Sequence, residues 1–218
     1  ITQKNKSGLI ESSNEILISH LISKFGGKLK KVFTVGDKID DFQKTLDSLD
    51  YFDLLITSGG ISRGKYDIVK KVLVKNNLNI LFDRIAIKPG KPTTFGKFKK
   101  ERYFLGLPGN PVSCFISMFL FFSNYINSYY GFDFLKLHQR KLISKNQIKK
   151  NNSLTSFLRI RTNNKLNSFS IFENQDSSLQ KTLNQSDGIV IRKPNSKAVK
   201  KGDSVDVILF RDILDNEI

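Results

Sequence analysis

Two spacings of apolar residues alternate between residues 14 and 130 and predict alternating strands and helices. Residues 14–25 carry apolar side chains at helical spacing, and a pair of glycines then ends the predicted helix. Residues 53–57 form the short apolar run that is typical of a strand buried on both faces. Helical spacing returns over residues 66–74, and residues 103–107 predict another strand. This alternation predicts a doubly wound α/β domain with a mostly parallel sheet.

Weaker patterns fill the gaps between these elements. Residues 29–35 resemble a strand, but their lysines indicate a position near the edge of the sheet. Residues 42–49 predict a short helix, and residues 79–87 predict a further strand. Pro111 fits the first turn of a long apolar helix, because its missing backbone N–H would have no partner there.

After Gly131 the pattern changes, and short alternating segments replace the helical spacing. The segments read SFLRIRT, SFSIF, GIVIRKP and SVDVILF, and polar turn residues separate them. Alternation of this kind predicts a small all-β domain. We therefore expect an α/β domain over residues 1–141 and a β domain over residues 142–218.

The net charge of +16 raises the question of a nucleic acid partner. Lysines are spread along the whole chain among many asparagine, isoleucine and phenylalanine residues, rather than gathered in one stretch. A general compositional bias explains such a distribution without any binding role. We therefore do not expect a nucleic acid partner, although strongly salt-dependent binding to a duplex would support one.

The rare residue types limit the chemistry. A single cysteine, Cys114, excludes an internal disulfide and a cysteine-based metal site, and its apolar neighbours predict a buried position. His20 and His138 have no partners at ligand spacing. Serine and asparagine interrupt the most apolar stretch, residues 112–130, so we expect a buried core helix rather than a membrane span.

Candidate chemistry lies in the loops that follow the predicted strands. Ser58, Gly59 and Gly60 stand between a strand and a helix, where glycines allow a ligand to approach and helix N–H groups favour a phosphate. The loop lacks the Gly-Lys-Ser/Thr ending of a Walker loop and the spaced glycines of a dinucleotide fingerprint. A tight turn without a ligand would also explain the pair of glycines.

Two aspartates suggest a metal. Asp37 follows the second predicted strand, and Asp67 follows the loop with the two glycines. If the strands are neighbours, both carboxylates face one crevice and hold Mg²⁺ against a substrate phosphate. The alternative is a pair of solvated aspartates at helix starts, which the helix dipole favours.

Two further loops suit an oxyanion. Lys88 and Lys91 present ammonium groups on a turn stiffened by prolines, although surface lysines are common in so basic a chain. Residues 107–113 combine two prolines and a glycine with Asn110 and Ser113 at a helix start, a composition typical of an anion site.

Taken together, these loops resemble the molybdopterin molybdenumtransferases, the enzymes that insert molybdate into adenylylated molybdopterin. Their occurrence in this order is far more specific than any single loop. The resemblance covers nearly the whole chain and is looser in the last third. The stretches that carry it are residues 10–14, 35–37, 56–67, 87–96, 106–113 and 175–179.

The resemblance implies a molybdopterin-binding α/β domain, a small C-terminal β domain and a set of site residues. Asp37 and Asp67 would form the essential acidic pair and hold Mg²⁺ near the phosphoanhydride. The residues implied to bind the pterin and its phosphate are Ser58, Gly59, Gly60, Ser62, Gly109 and Asn110. The residues implied to bind molybdate are Lys88, Lys91, Pro92, Ser113, Arg159 and Ser177, with Arg161 as the alternative to Arg159.

The implied reaction is insertion of molybdate into adenylyl-molybdopterin with release of AMP, catalysed without a covalent nucleophile by a cytoplasmic, homodimeric transferase. Two family features are not in this sequence: an opening strand with a Thr-Gly-Asp-Glu-Leu type ending, and the N-terminal domains that close the active site across the dimer. The chain begins with Ile1 rather than Met. We therefore expect a fragment that is less stable and inactive by itself.

Two alternatives remain open. Molybdopterin adenylyltransferases resemble the same α/β domain, but their loop continues with a further glycine and Thr-Pro type residues where this chain has residues 61–67. The appended β domain also argues against them. The second alternative is a binding or scaffold module with the same fold and no turnover, which would not need both Asp37 and Asp67.

Overall fold

A four-stranded sheet forms the centre of the first part of the chain. The computed structural model describes residues 13–60, 68–131, 139–176 and 180–214. The strands of this part are β1 (Leu54–Ser58), β2 (Asn79–Asp83), β3 (Ile87–Lys88), β4 (Thr94–Lys97) and β5 (Tyr103–Leu107). Its helices are α1 (Ser13–Lys24), α2 (Ile39–Asp47), α3 (Ile68–Lys75), α4 (Pro111–Ser117) and α5 (Ser123–Tyr129). The sheet order is β1, β5, β4, β2.

The sheet is mixed rather than mostly parallel. β1 and β5 run parallel, with Leu54 opposite Tyr103 and Ser58 opposite Leu107. The β5–β4 and β4–β2 pairs are antiparallel. The predicted α/β class is therefore confirmed, but a doubly wound, mostly parallel sheet is not found among the described residues. The reason is that β2, β4 and β5 follow one another as antiparallel neighbours, which need no crossover helix between them.

Helices cover both faces of this sheet. Leu105 and Leu107 of β5 pack in one core with α1 and α4, which includes Leu21. Phe104 packs in a second core with Leu73 of α3. Because successive side chains of a strand point to opposite faces, one apolar strand contributes to both cores.

The last part of the chain closes into a five-stranded barrel. Its strands are β6 (Gln139–Ser144), β7 (Thr155–Thr162), β8 (Ser168–Ile171), β9 (Gly188–Arg192) and β10 (Ser204–Leu209), with the short helices α6 (Gln180–Asn184) and α7 (Arg211–Leu214). The neighbours run β7, β8, β6, β10, β9, and a further pairing of β9 with β7 closes the ring. The predicted small all-β domain is confirmed here. The predicted boundary between residues 141 and 142 stays a prediction.

A short parallel pairing joins the barrel to the α/β part. β3 runs beside the first residues of β7, with Ile87 opposite Thr155 and Lys88 opposite Ser156. The Thr155 N–H also donates to the carbonyl of Ala86 at 3.0 Å. The chain segment after β2 is therefore hydrogen-bonded to the barrel.

A shared apolar core joins the two parts a second time. Phe210, which follows β10, packs edge-to-face against Phe115 and Phe119, with ring centroids 4.9 and 5.4 Å away. The same buried cluster includes Ile189 and Ile208 of the barrel. Because residues of both parts form one core, loss of packing in one part exposes apolar surface of the other.

The helix predicted to begin at Pro111 is confirmed, and it is interrupted once. Pro111 occupies the start of α4, and Val112 and all following residues of α4 are buried. The helix is π-helical over Met118–Phe122 and returns to α-helical geometry in α5. The burial of α4 confirms the predicted core helix. Among the described helices, none is long and apolar enough to cross a membrane.

Two strand predictions were wrong. Residues 29–35 are irregular and largely exposed, and in the described residues they form no strand pairing. A strand needs a neighbour that satisfies its N–H and C=O groups, which apolar spacing alone does not supply. The strand predicted over residues 79–87 is divided by a turn in which Arg84 has a φ of 63°, so β2 and β3 pair with different sheets.

The shared core predicts that the two parts unfold together. We expect Phe210→Ala to lower the free energy of unfolding by about 3 kcal/mol, since it removes a buried aromatic ring and leaves a cavity. Urea denaturation followed by circular dichroism should show one transition at a lower midpoint. Phe33→Ala, at a residue that is 46% exposed, is the control and should change stability by less than about 0.5 kcal/mol. Two separated transitions would contradict the shared core.

Candidate active site

The carboxyl ends of the parallel strands β1 and β5 lie side by side and define the candidate site. Ser58 ends β1 opposite Leu107, which ends β5. The Gly59 N–H extends the pairing by donating to the Leu107 carbonyl at 3.1 Å. The two loops therefore leave the sheet at one edge, the position where α/β proteins bind ligands.

Backbone conformation explains the glycines of these loops. Gly59 and Gly60 have φ values of 84° and 68°, in the left-handed region that favours glycine. A Cβ atom on Gly60 would lie 2.7 Å from Cγ2 of Val69 in α3, which is too close for a side chain. A Cβ atom on Gly109 would lie 3.8 Å from the Cα of Gly59, so the backbones of the two loops are near neighbours.

A buried amide ties both loops to α1. Asn14 is 5% exposed, and its Nδ2 donates to Ser58 Oγ and to the Gly109 carbonyl, each at 2.7 Å. The sequence prediction treated Asn14 only as a helix start and missed this role. The available signal was its position in the first stretch that carries the family resemblance.

α4 begins at the same edge. Asn110 precedes the helix as its N-cap, and Ser113, in the first turn, is 5% exposed. Cys114 follows it and is buried, as predicted. Burial raises the pKa of the Cys114 thiol to about 12, and a hydrogen bond with Ser58 acts in the opposite direction. A thiol of this kind is not a nucleophile at neutral pH.

The lysine turn, residues 88–92, leads from β3 towards β4. Backbone N–H groups close it, with Ile85 donating to the Lys91 carbonyl and Thr93 to the Gly90 carbonyl, both at 3.0 Å. Lys88 and Lys91 are exposed, and neither ammonium group forms an ion pair with a described residue. Two uncompensated cations on a closed turn favour an anion.

Arg159 is a buried cation on β7. It is 1% exposed, and Gln175 Oε1 accepts from its backbone N–H at 3.0 Å and from its Nε at 3.3 Å. Nη2 donates to the Asp176 carbonyl at 3.1 Å, while Nη1 is buried without a partner among the described residues. Burial lowers the pKa of the Arg159 guanidinium, and Asp176 acts in the opposite direction. Arg161, in contrast, is exposed.

Gln175 was also missed by the sequence prediction. Besides accepting from Arg159, it donates from Nε2 to the carbonyls of Arg159 and Phe172, at 3.1 and 2.9 Å. Both ends of its amide are therefore used to hold β7 and the segment after β8 together. Its position at the start of the last stretch of family resemblance was the available signal.

The predicted site residues are brought together only in part. Ser58, Gly59, Gly60, Gly109, Asn110 and Ser113 share the edge formed by β1, β5 and α4. The lysine turn begins at Lys88, which lies opposite Ser156. Ser156 is three residues before Arg159, which corresponds to roughly 10 Å along β7.

The predicted acidic pair is not tested by these contacts. Asp37 is exposed two residues before α2. Asp67, Ser62 and Ser177 lie outside the described residues, so their roles stay predictions. Within the described part of the chain, no three histidine, cysteine, aspartate or glutamate side chains form a group that could hold a metal.

Two family models match the chain in succession. The probable molybdopterin binding domain matches residues 2–128, and the MoeA C-terminal region (domain IV) matches residues 141–210. The first match covers more than half of the chain. It defines the α/β part as a domain of the molybdopterin-binding class.

Curated relatives match about half of the chain. Over 118 residues the chain is 42% identical to the molybdenum cofactor synthesis protein cinnamon of Drosophila melanogaster. The aligned region covers 52% of this chain and 19% of the relative. Over 115 residues it is 38% identical to the molybdopterin molybdenumtransferase of Haemophilus influenzae. Here the aligned region covers 52% of this chain and 28% of the relative.

Solved structures match nearly the whole chain in fold. A molybdopterin biosynthesis MoeA protein from Pyrococcus horikoshii superposes with a TM-score of 0.78 at 22% identity, over 95% of this chain and 50% of its own. A molybdenum cofactor biosynthesis protein from Pyrococcus furiosus superposes with a TM-score of 0.71 at 19% identity, over 91% and 65%. The chain spans less than two thirds of each of these proteins.

The chain therefore belongs to the family of the probable molybdopterin binding domain, and its last part matches the MoeA C-terminal region, in the order that the motifs predicted. Its molybdopterin-binding domain is followed by the C-terminal region that gave the second match.

The reactivity of the buried Cys114 thiol, which lies beside Ser58, reports how tightly the surrounding residues are packed. With a single cysteine in the chain, Ellman's reagent at pH 8 should release close to one equivalent of chromophore in guanidinium but almost none, over minutes, from the folded protein.

Because the folded-state pKa is about 12 and the ordinary value is 9.0, the unfolded chain loses this proton first as the pH rises. Its contribution to stability is complete below pH 9 and is lost towards pH 12. Rapid labelling of the folded protein at pH 8 would contradict the packing around Cys114.

Proposed function

We propose that this chain functions as part of a molybdopterin molybdenumtransferase, an enzyme that inserts molybdate into adenylyl-molybdopterin and releases AMP. The observation that carries the proposal is the strand pairing that joins two cation-bearing elements. The lysine turn pairs through β3 with β7, the barrel strand that holds the buried Arg159. The name of the Haemophilus influenzae relative supports the proposal over the part of that protein the chain matches.

The loops after β1 and β5 would bind the pterin and its phosphate. Gly59 has no side chain and lies beside the Gly109 loop, so the ligand would meet backbone groups there. Ser58 and Asn110 would add side-chain hydrogen bonds, with Ser62 completing the set. Asn14 would hold the loops at a constant separation.

Molybdate would bind between the lysine turn, α4 and the barrel. It is a doubly charged tetrahedral oxyanion, so cations and hydroxyl donors must replace its water shell. Lys88, Lys91 and Arg159 would supply the charge, and Ser113 and Ser177 the hydroxyl groups. The closed turn with Pro92 would hold the two lysines in place, and no carboxylate of a described residue pairs with them.

Mg²⁺ would be held by Asp37 and Asp67. Carboxylate oxygens are its preferred protein ligands, and the Asp37 side chain is exposed and makes no hydrogen bond to a described residue. Two carboxylates are the residue types that would suit this ion. When bound, Mg²⁺ would neutralise charge on the phosphoanhydride from which AMP leaves.

The protein residues would act by position and charge. The glycine loops would align the phosphoanhydride at one edge of the sheet, while the cations hold molybdate beside the dithiolene sulfurs. No covalent nucleophile is needed, and the high pKa of Cys114 agrees with that. A homodimer and a cytoplasmic location are part of the same proposal.

Substitution of one acidic and one cationic residue tests this assignment. In the full-length protein supplied with adenylyl-molybdopterin, Mg²⁺ and molybdate, we expect Asp67→Asn and Lys91→Ala each to slow AMP release by about 100-fold, since each removes charge stabilisation of the reacting groups. AMP is measured by chromatography. Asp50→Asn and Lys99→Ala, both at exposed positions outside the site, are the matched controls and should keep the wild-type rate. AMP release at the wild-type rate in both test variants would show that the roles are wrong.

The two arginines of β7 can be separated by a matched pair of substitutions. We expect Arg159→Met to weaken molybdate binding by about 100-fold, because it removes a buried charge that no other described residue replaces. Arg161→Met should change it by less than two-fold, since the Arg161 side chain is exposed. Calorimetric titration with molybdate gives the dissociation constants, and thermal unfolding checks that both variants are folded. The reverse order would assign the oxyanion to Arg161.

A further inference from the structure

Two buried hydroxyl groups connect the lysine turn to α4. Thr93 and Ser117 are both 0% exposed, and Thr93 Oγ1 lies 2.7 Å from Ser117 Oγ. Thr93 Oγ1 also donates to the Gly90 carbonyl at 2.6 Å. A hydroxyl has one hydrogen to donate, so Ser117 must be the donor to Thr93. A directed chain of hydrogen bonds therefore runs from the helix to the middle of the turn.

The helix also packs directly on the turn. Gly90 has a φ of 109°, and a Cβ atom there would lie 3.0 Å from Ser117 Oγ and 2.8 Å from Cδ1 of Ile87. The backbone of the turn therefore approaches α4 as closely as a residue without a side chain permits. The Thr93 N–H adds a second bond to the same Gly90 carbonyl, so Thr93 is fixed to the middle of the turn.

Ser117 lies on the face of α4 that carries Ser113. Residues four apart are neighbours on one helix face, with a rise of about 6 Å between them. Ser113 is a molybdate ligand in the proposed function, and Lys91 is another. The distance between these two residues therefore depends on how the turn is held against α4.

We propose that the hydroxyl pair Thr93–Ser117 is a positioning element that fixes the lysine turn relative to Ser113 and so sets the affinity for molybdate. This inference rests on the proposed function. A hydrogen bond suits the task because it has a preferred distance and direction, whereas apolar contact does not. Neither hydroxyl has a role in binding the pterin, so its loss should affect one substrate and not the other.

Steady-state kinetics of the full-length protein separate the two substrates. At saturating adenylyl-molybdopterin, we expect Thr93→Val and Ser117→Ala each to raise the molybdate concentration for half-maximal AMP release by about 10-fold, because the turn loses its alignment. The adenylyl-molybdopterin concentration for half-maximal rate should stay within two-fold of wild type. The double variant should be no worse than the single ones, since both remove the same bond.

Two controls distinguish position from general stability. Thr93→Ser keeps the hydroxyl and should restore the molybdate dependence. Ser123→Ala removes a buried hydroxyl from the same continuous helix, where it donates to the Phe119 carbonyl, and should leave both substrate dependences unchanged. If Thr93→Val does not fold, the comparison of Ser117→Ala with Ser123→Ala still tests whether the hydroxyl pair positions the lysine turn.

A failure of the positioning role gives a different result from a failure of the proposed molybdate site. If Lys91→Ala raises the molybdate requirement and Ser117→Ala does not, the site stands and the positioning role is wrong. An equal rise for both substrates would also overturn it, since that is the result of a loosened fold. If Lys91→Ala has no effect either, the oxyanion site itself is wrong, and the inference fails with it.

Discussion

Burial of α4 is the constraint on which the rest of the structure depends. All residues of this helix after Pro111 are buried, because it lies between β5 and α1 on one side and the barrel on the other. Phe115 of α4 and Phe119 of the following π-helical turn meet Phe210 of the barrel, so the helix belongs to both parts. The same helix carries Ser113 and Ser117, which makes the geometry of the site a consequence of the packing of the core.

Around this helix, the site is assembled from short polar contacts made by buried side chains. Asn14 joins the loops after β1 and β5, Gln175 holds Arg159, and Thr93 joins the lysine turn to the helix. Each of these contacts is strong because the interior has a low dielectric constant, and each leaves a costly unpaired group if one partner is removed. Rigid positioning of loops is therefore obtained from a few hydrogen bonds, while the lysines stay exposed and free to meet an anion.

Arg159 shows how the two parts depend on one another electrostatically. A buried guanidinium requires partners, and the protein offers the Asp176 carbonyl and the side chain of Gln175 but leaves Nη1 without a partner in the described residues. A charge in this state is costly unless an anion accompanies it. The barrel would thus contribute a buried binding charge, whereas the described residues of the α/β part offer exposed lysines and no buried cation.

The sequence by itself determined the candidate chemistry of each loop, and its apolar periodicity determined whether a segment forms a helix or a strand. Apolar spacing and turn residues were enough to predict the helix at Pro111, the strands β1 and β5, the glycine turn at residues 59 and 60 and the buried Cys114, because these features follow from local chemistry. Strand direction, the division of residues 79–87 and the loss of a strand over residues 29–35 depend on which neighbours supply hydrogen bonds. Only the tertiary structure decided those. It also decided the hydrogen bonds of Asn14, Thr93, Ser117 and Gln175, because their partners lie 16 to 95 residues away along the chain.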